Sequence, residues 1–185
     1  LVITNVPYLG RGDHCPVLTN FADEQFADAK ADLATVFAAR SFDWLAKDGT
    51  LAVVTPQNWL FLPRFQAFRK RLLTSRTWKM VVRMGEHAFE SPAAAGAFAA
   101  MEIFDQAAPA KNHLICGIDV SAPRGRTPIY TSRKAAMLRS DEPVSVGYIQ
   151  QTSLIAGACV IRLSATQTTG RLGDYVRAWQ GLVTG

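Results

Sequence analysis

Asn5-Val6-Pro7-Tyr8 is the segment of this sequence best equipped for chemistry. An asparagine amide oxygen and a neighbouring backbone carbonyl can together hold both hydrogens of an amino group. Held in that way, the nitrogen lone pair is drawn out of conjugation with an attached ring and becomes nucleophilic. The tyrosine beside them can stack on a planar base, and the proline stiffens the loop that carries the acceptors. Asn and Pro are also ordinary turn formers, so these four residues alone read equally well as a plain turn that ends a strand.

The elements around the segment favour a site. Leu1-Val2-Ile3-Thr4 is an apolar, β-branched run that the proline terminates, and a loop with Gly10, Gly12 and Pro16 follows. A helix is expected from about Asp32 to Ala46, with Leu33, Phe37, Ser41 and Trp44 on its inner face and Asp48-Gly49 as its stop. Leu51 to Thr55 reads as a second buried strand. A helix follows over about Arg64 to Leu73, with Phe65, Phe68 and Leu72 inward. Trp78 to Met84 and Ala97 to Phe104 are strands three and four. Alternating strands and helices imply right-handed crossovers and a parallel α/β sheet, in which ligands bind beyond the carboxyl ends of the strands. The fourth strand has no clear helix before it and should run antiparallel to its neighbour.

After Asp105 the composition changes, and 107–112 reads as a linker. The chain thus divides into 1–106 and an α+β extension, 107–185. The extension should contain strands at 114–120, 144–149 and 158–163 and helices at 131–139 and near Leu172 to Trp179.

Composition narrows the class further. The chain has 185 residues, 49% hydrophobic and 19% charged, enough for a sizeable core, and its net charge of +5 leans toward a polyanionic partner. Three widely spaced cysteines, Cys15, Cys116 and Cys159, argue against a disulfide framework or structural zinc and for free thiols in a reducing cytoplasm. No metal-ligating constellation, membrane span or signal peptide is legible. The basic stretch Arg64, Arg69, Lys70, Arg71, Arg76, Lys79 and Arg83 contains no acid and reads as a solvated face. Arg124 and Arg126, in a Pro- and Gly-containing loop, are better placed to reach a phosphate backbone. The sequence opens on an apolar run without methionine and ends on Leu182-Val183-Thr184-Gly185, so a piece of a longer protein is expected.

Four blocks, in order and at matching spacing, carry a family resemblance. Asn5-Val6-Pro7-Tyr8 is similar to the Asn-Pro-Pro-Tyr motif of amino-methyltransferases, with Val6 in place of the first proline. Ala31 to Phe37, Gly49 to Leu60 and His87-Ala88-Phe89-Glu90 resemble the blocks that follow it in DNA adenine methyltransferases of the type IIG restriction-modification and phage-defence class. Cys116 to Pro123 extends the likeness.

The resemblance implies the second half of a doubly wound Rossmann-like sheet, parallel strands plus one antiparallel. It also implies transfer of a methyl group from S-adenosylmethionine to the exocyclic amino group of adenine in double-stranded DNA. On that basis Asn5 and the Val6 carbonyl take the amino hydrogens, Pro7 stiffens the loop, Tyr8 stacks on the base and Phe89 closes its other face. Phe37 touches the cofactor or is a core residue of its helix, and Asp32 lines the pocket or, the reading preferred, caps that helix.

The cofactor's Gly-rich loop is absent from the 185 residues, which is expected if the cofactor half precedes Leu1 and the fragment alone is inactive. Residues 107–185 would lead toward a target-recognition region. Such a fragment should expose Leu1 to Thr4 as an edge strand and self-associate, most simply as a homodimer. The alternatives are an RNA or protein-glutamine methyltransferase, or a non-catalytic DNA-binding or assembly module with the same fold.

Overall fold

A computed structural model describes residues 1–89, 96–121, 128–139, 141–163 and 168–170. One mixed sheet of seven strands organises them: β1 (Val2–Asn5), β2 (Thr50–Pro56), β3 (Thr77–Gly85), β4 (Ala99–Asp105), β5 (Leu114–Asp119), β6 (Val144–Gln150) and β7 (Thr168–Gly170). Their spatial order is β1-β2-β4-β3-β5-β6-β7. β1 and β2 are parallel, with Val2 opposite Leu51 and Asn5 opposite Val54. β4 lies antiparallel between β2 and β3, pairing Pro56 and Gly85 with Ala99. That arrangement is the one expected of a fourth strand reached without a crossover helix. β5 then pairs parallel to β3, and β6 antiparallel to β5, so the sheet continues without a break past residue 106.

Alternation along the strands gives the sheet two buried faces. On the first, Val53, Trp78, Val81, Ala100 and Phe104 pack with Val6, Phe42, Trp59, Phe68 and Leu72. The rings of Trp59 and Trp78 lie 5.4 Å apart, and Trp78 meets Phe104 edge-on at 4.8 Å, within the range in which aromatic pairs add to area burial. Helices α2 (Leu33–Asp43) and α3 (Gln66–Ser75) cover this face; α1 is Pro16–Gln25. On the second face, Val82, Met84, Ala99, Ile118 and Val146 pack beneath α4 (Pro128–Leu138), which contributes Met137. No described helix is long and apolar enough to cross a membrane.

Several elements depart from expectation. α2 buries its small face, Ala34, Ala38 and Ala39 together with Phe42, while Phe37 and Trp44 are exposed and Leu33 is only half-buried. Alanines let the helix approach the sheet closely, so the larger residues of the expected stripe are turned outward. α1 was unforeseen because Ala22 is its one buried residue and Pro16 stands in its first turn. Residues 158–163, expected as a strand, form an extended loop whose Ile161 N–H donates to the Leu60 carbonyl. The helix expected near Leu172 to Trp179 lies outside the described residues.

Arg69, assigned by sequence to a solvated face, is fully buried. Its Nε donates to Cys159, Nη1 to Trp59 and Leu62, and Nη2 to Ala158, all backbone carbonyls at 2.5–3.0 Å. Arg64, Lys70, Arg71, Lys79 and Arg83 do face outward, and distant acids answer three of them: Arg71 pairs with Asp28, Lys79 with Asp105 and Arg83 with Asp119. Arg76 is half-buried, with its guanidinium 5.1 Å from the Phe42 ring.

Candidate active site

The carboxyl ends of β1, β2, β3 and β5, with the start of β4, form one edge of the sheet, and the Asn5 loop leaves from it. Asn5 ends β1 with its side chain exposed and without a hydrogen bond among the described residues. Val6 turns inward, 4% exposed, and its N–H donates to the Val54 carbonyl at 3.3 Å. A proline at this position has no N–H to donate, so the departure from Asn-Pro-Pro-Tyr gains a backbone tie to β2 where it loses ring stiffness. The loop is held further along as well. The Leu9 carbonyl accepts from the Leu33 N–H at 2.8 Å and from His14 Nε2 at 3.1 Å, and Arg11 N–H donates to the Ala31 carbonyl.

Asp32 caps its helix, the reading preferred from the sequence, and also borders a cleft. Its Oδ1 accepts from the Ala34 N–H at 2.8 Å, capping α2, and it also lines a cleft of about 270 Å³ with Tyr8, Leu9, Gly10, Pro56, Asn58 and Phe98. Burial raises its pKa, while the Ala34 and Leu9 backbone N–H groups hold the rise in check.

Tyr8 packs its ring against the first core face and presents a buried hydroxyl with no partner among the described residues. Burial pushes its pKa up to about 12, with Glu102 and Asp32 adding to the shift. It is therefore a neutral, preorganised aromatic surface at neutral pH. Phe89 is not brought to this cleft: it packs against the second core face, on the other side of the sheet. Phe98, 43% exposed and tied to the site through its carbonyl, which accepts from Gln57 N–H at 2.7 Å, shares the cleft with Tyr8. Sequence reading had absorbed Phe98 into a strand; an aromatic at the amino end of the antiparallel strand was the available signal. Phe37 lines none of the described clefts, and Arg124 and Arg126 lie outside the described residues.

Beneath the cleft sits a buried acid that the sequence did not flag. Glu102 on β4 is fully buried, with one carboxyl oxygen accepting from Thr55 Oγ1 at 2.8 Å; Thr55 in turn accepts from Trp59 Nε1 at 2.7 Å. Its other oxygen has no partner among the described residues. Burial, only partly offset by the Thr55 and Trp59 bonds, pushes its pKa up to about 8. A pKa raised on folding means that the native state binds the extra proton. The resulting stabilisation is complete below the unfolded carboxyl value of about 4.3 and is lost as pH rises through about 8. Glu102→Gln is therefore expected to flatten the fall in stability between about pH 5 and pH 8. Thermal unfolding of both proteins across that range checks this, and parallel curves would contradict it.

The sheet order, with an antiparallel strand inserted between β2 and β3 and the Asn5 loop at the end of β1, is the mixed α/β arrangement expected from the sequence. Residues 1–89 of the chain match the model of the Eco57I restriction-modification methylase family. The adenine-specific methyltransferase BrxX of Escherichia coli O9:H4 (strain HS) is 36% identical over 88 residues, which cover 48% of this chain and 7% of BrxX. The chain's match thus spans a small fraction of that curated relative. Among solved structures, the methyltransferase subunit of a type I restriction-modification system from Streptococcus thermophilus has a TM-score of 0.56. It is 16% identical, and the match covers 88% of this chain and 36% of that one. The DrdV–DNA complex gives a TM-score of 0.54 at 14% identity, covering 80% of this chain and 17% of that one. These two likenesses establish the shared fold.

Proposed function

We propose that this chain is the base-binding portion of an enzyme that methylates the exocyclic amino group of adenine in double-stranded DNA. The observation that carries the reading is the loop at the end of β1, hydrogen-bonded to β2 and to the start of α2, which carries Asn5 and the Val6 carbonyl directly before Tyr8, the residue that lines the cleft. The Asn5 amide oxygen and the Val6 carbonyl take the two amino hydrogens, with Pro7 limiting the freedom of the loop. Freeing the amine lone pair is the step performed by this chain; the amine is itself the nucleophile, so no covalent enzyme intermediate is needed. Tyr8 supplies one face for a base drawn out of the duplex, and Phe98, which shares the cleft, supplies a second in preference to Phe89. The names of the relatives favour DNA adenine over RNA or protein glutamine as acceptor. For such an enzyme the cytoplasm is the compartment we propose.

S-adenosylmethionine is the donor this chemistry calls for, and when bound it supplies the methyl group. The residues present do not by themselves make its site: Asp32 offers a polar flank, Phe37 is not among the residues that line the cleft, and the 185 residues include no Gly-rich loop after a strand. Residues 107–185 contribute β5, β6 and β7 to the sheet, and we assign them, with Arg124 and Arg126, to target recognition and contact with a phosphate backbone.

Fluorescence of 2-aminopurine at the target position of a duplex tests base capture by the full-length protein. Tyr8→Ala and Phe98→Ala are each expected to weaken capture by about 1–3 kcal/mol, the worth of one stacked face. Phe89→Ala should alter it less. Wild-type enhancement in both the Tyr8 and Phe98 variants would contradict the clamp.

The 185-residue chain by itself should self-associate. Among the described residues β1 pairs on one side alone, and Leu1 and Ile3 are 81% and 75% exposed on an edge with no charge to deter pairing. A two-fold dimer along β1 is the simplest product. Light scattering that shows a stable monomer, with the amides of β1 protected from exchange, would contradict this.

A further inference from the structure

A second, larger cleft of about 680 Å³ adjoins the first on the same face and edge of the sheet. The turn after β2 separates them: Asn58 lines the Tyr8 cleft, whereas Gln57, Leu60 and Phe61 line the second. Arg83 of β3, Asp119 of β5 and the segment Val160–Leu163 complete it. The walls are built rather than incidental. Arg69 donates to Trp59 and Leu62 behind one wall and to Ala158 and Cys159 behind the other, and Ile161 N–H joins them at Leu60. Gly117 makes room for the packing, since a Cβ there would stand 2.8 Å from Leu163 Cδ2.

The lining has a definite chemical character. Phe61 is an aromatic 41% exposed, and Arg162 is exposed without a partner among the described residues. The Arg83–Asp119 pair is long, at 3.5 Å. Gln57 is 6% exposed, yet its amide oxygen has no hydrogen-bond partner among the described residues, so an acceptor stands waiting for a donor. A planar ring, free positive charge and an unpartnered acceptor suit a ligand that is flat, anionic and carries N–H groups. A simple anion would make no use of Phe61 or Gln57. The volume lies within the range of small-ligand sites. The two clefts are bordered by consecutive residues, Gln57 and Asn58, so they are neighbours along the carboxyl edge of the sheet.

We propose that this cleft receives the nucleotide next to the target adenine on the same DNA strand, with its base against Phe61 and its phosphate on Arg162. The inference rests on the reading of the chain as part of a DNA adenine methyltransferase, and it makes Phe61, Arg162 and Gln57 determinants of flanking-sequence binding.

Fluorescence anisotropy of a labelled duplex carrying the target site, titrated with full-length protein at several salt concentrations, tests it. Phe61→Ala is expected to weaken binding by about 5- to 100-fold, and Phe61→Trp to restore it. Arg162→Gln should weaken binding and lower the slope of log Kd against log salt by about one, as for one lost phosphate contact, whereas Arg162→Lys should keep the slope. S-adenosylmethionine affinity, measured by calorimetry, should stay at the wild-type value in all four variants, which also reports that they are folded. Wild-type Kd and salt slope in both Phe61→Ala and Arg162→Gln would overturn the subsite, as would a loss of donor affinity in place of DNA affinity. If those variants match a wild type that methylates DNA, the subsite alone fails. A wild type that neither binds nor methylates duplex overturns the parent reading with it.

Discussion

Asn5→Ala in the full-length protein is expected to lower kcat for adenine methylation by at least about 100-fold, the usual cost of removing one preorganised polar contact to a transition state. Duplex affinity should change by no more than about twofold. Asn5 is exposed at the end of β1 and makes no side-chain hydrogen bond to the rest of the described chain, so its removal leaves the fold and the DNA-facing surface intact. What disappears is an acceptor whose bond strengthens as the amine rehybridises, and a contact of that kind lowers kcat rather than raising Kd. Asn5→Asp keeps an acceptor in place and should retain more activity than alanine. Single-turnover methyl transfer at saturating duplex is the measurement. A rate within about tenfold of wild type, a barrier change of only ~1.4 kcal/mol, would remove Asn5 from the chemistry.

The second large effect falls on stability. Arg69→Met is expected to destabilise the domain by about 3–5 kcal/mol even though it preserves much of the side-chain volume. The guanidinium satisfies four carbonyls, those of Trp59, Leu62, Ala158 and Cys159, inside a core that excludes water. Methionine leaves the Trp59, Ala158 and Cys159 carbonyls without a described partner, while Leu62 keeps the Phe65 N–H. Each orphaned buried acceptor costs about 1–3 kcal/mol unless water or a backbone shift relieves it. No carboxylate partners Arg69, so the carbonyl dipoles are the only described compensation for its charge, and burial lowers its pKa. For a unit of this size the loss corresponds to a drop in Tm of about 6–20 °C. Differential scanning calorimetry would record it; an unchanged Tm would show that the two loops close without the clamp.

The sequence made the strands legible because apolar runs such as Leu51 to Thr55 are bounded by Gly49 and Pro56, and it made the antiparallel β4 legible because no helix precedes it. Asn5 to Tyr8 stood out for the same reason, as a polar and aromatic cluster at a strand end. Side-chain direction was harder to read. α2 packs by its alanines, and periodicity weighted toward large residues chose the opposite stripe. Arg69 sits among six other cations between Arg64 and Arg83, and nothing local distinguishes the one that turns inward to bind carbonyls from residues 158 and 159. Glu102 reads as an ordinary polar position of a strand until the register places it opposite Val53, next to Thr55 across β2. Phe89 and Phe98 stand nine residues apart between β3 and β4, and only the fold shows that they lie against different faces.

The central claim is that the loop Asn5–Tyr8 serves methyl transfer to the adenine amino group. Mass spectrometry of nucleosides tests it most directly, after incubation of duplex DNA with the full-length protein and isotope-labelled S-adenosylmethionine. The account predicts labelled N6-methyladenine with wild type and at most about one hundredth of that initial rate with Asn5→Ala. Label in cytosine, in RNA or in protein alone, or equal adenine labelling by both proteins, would contradict it.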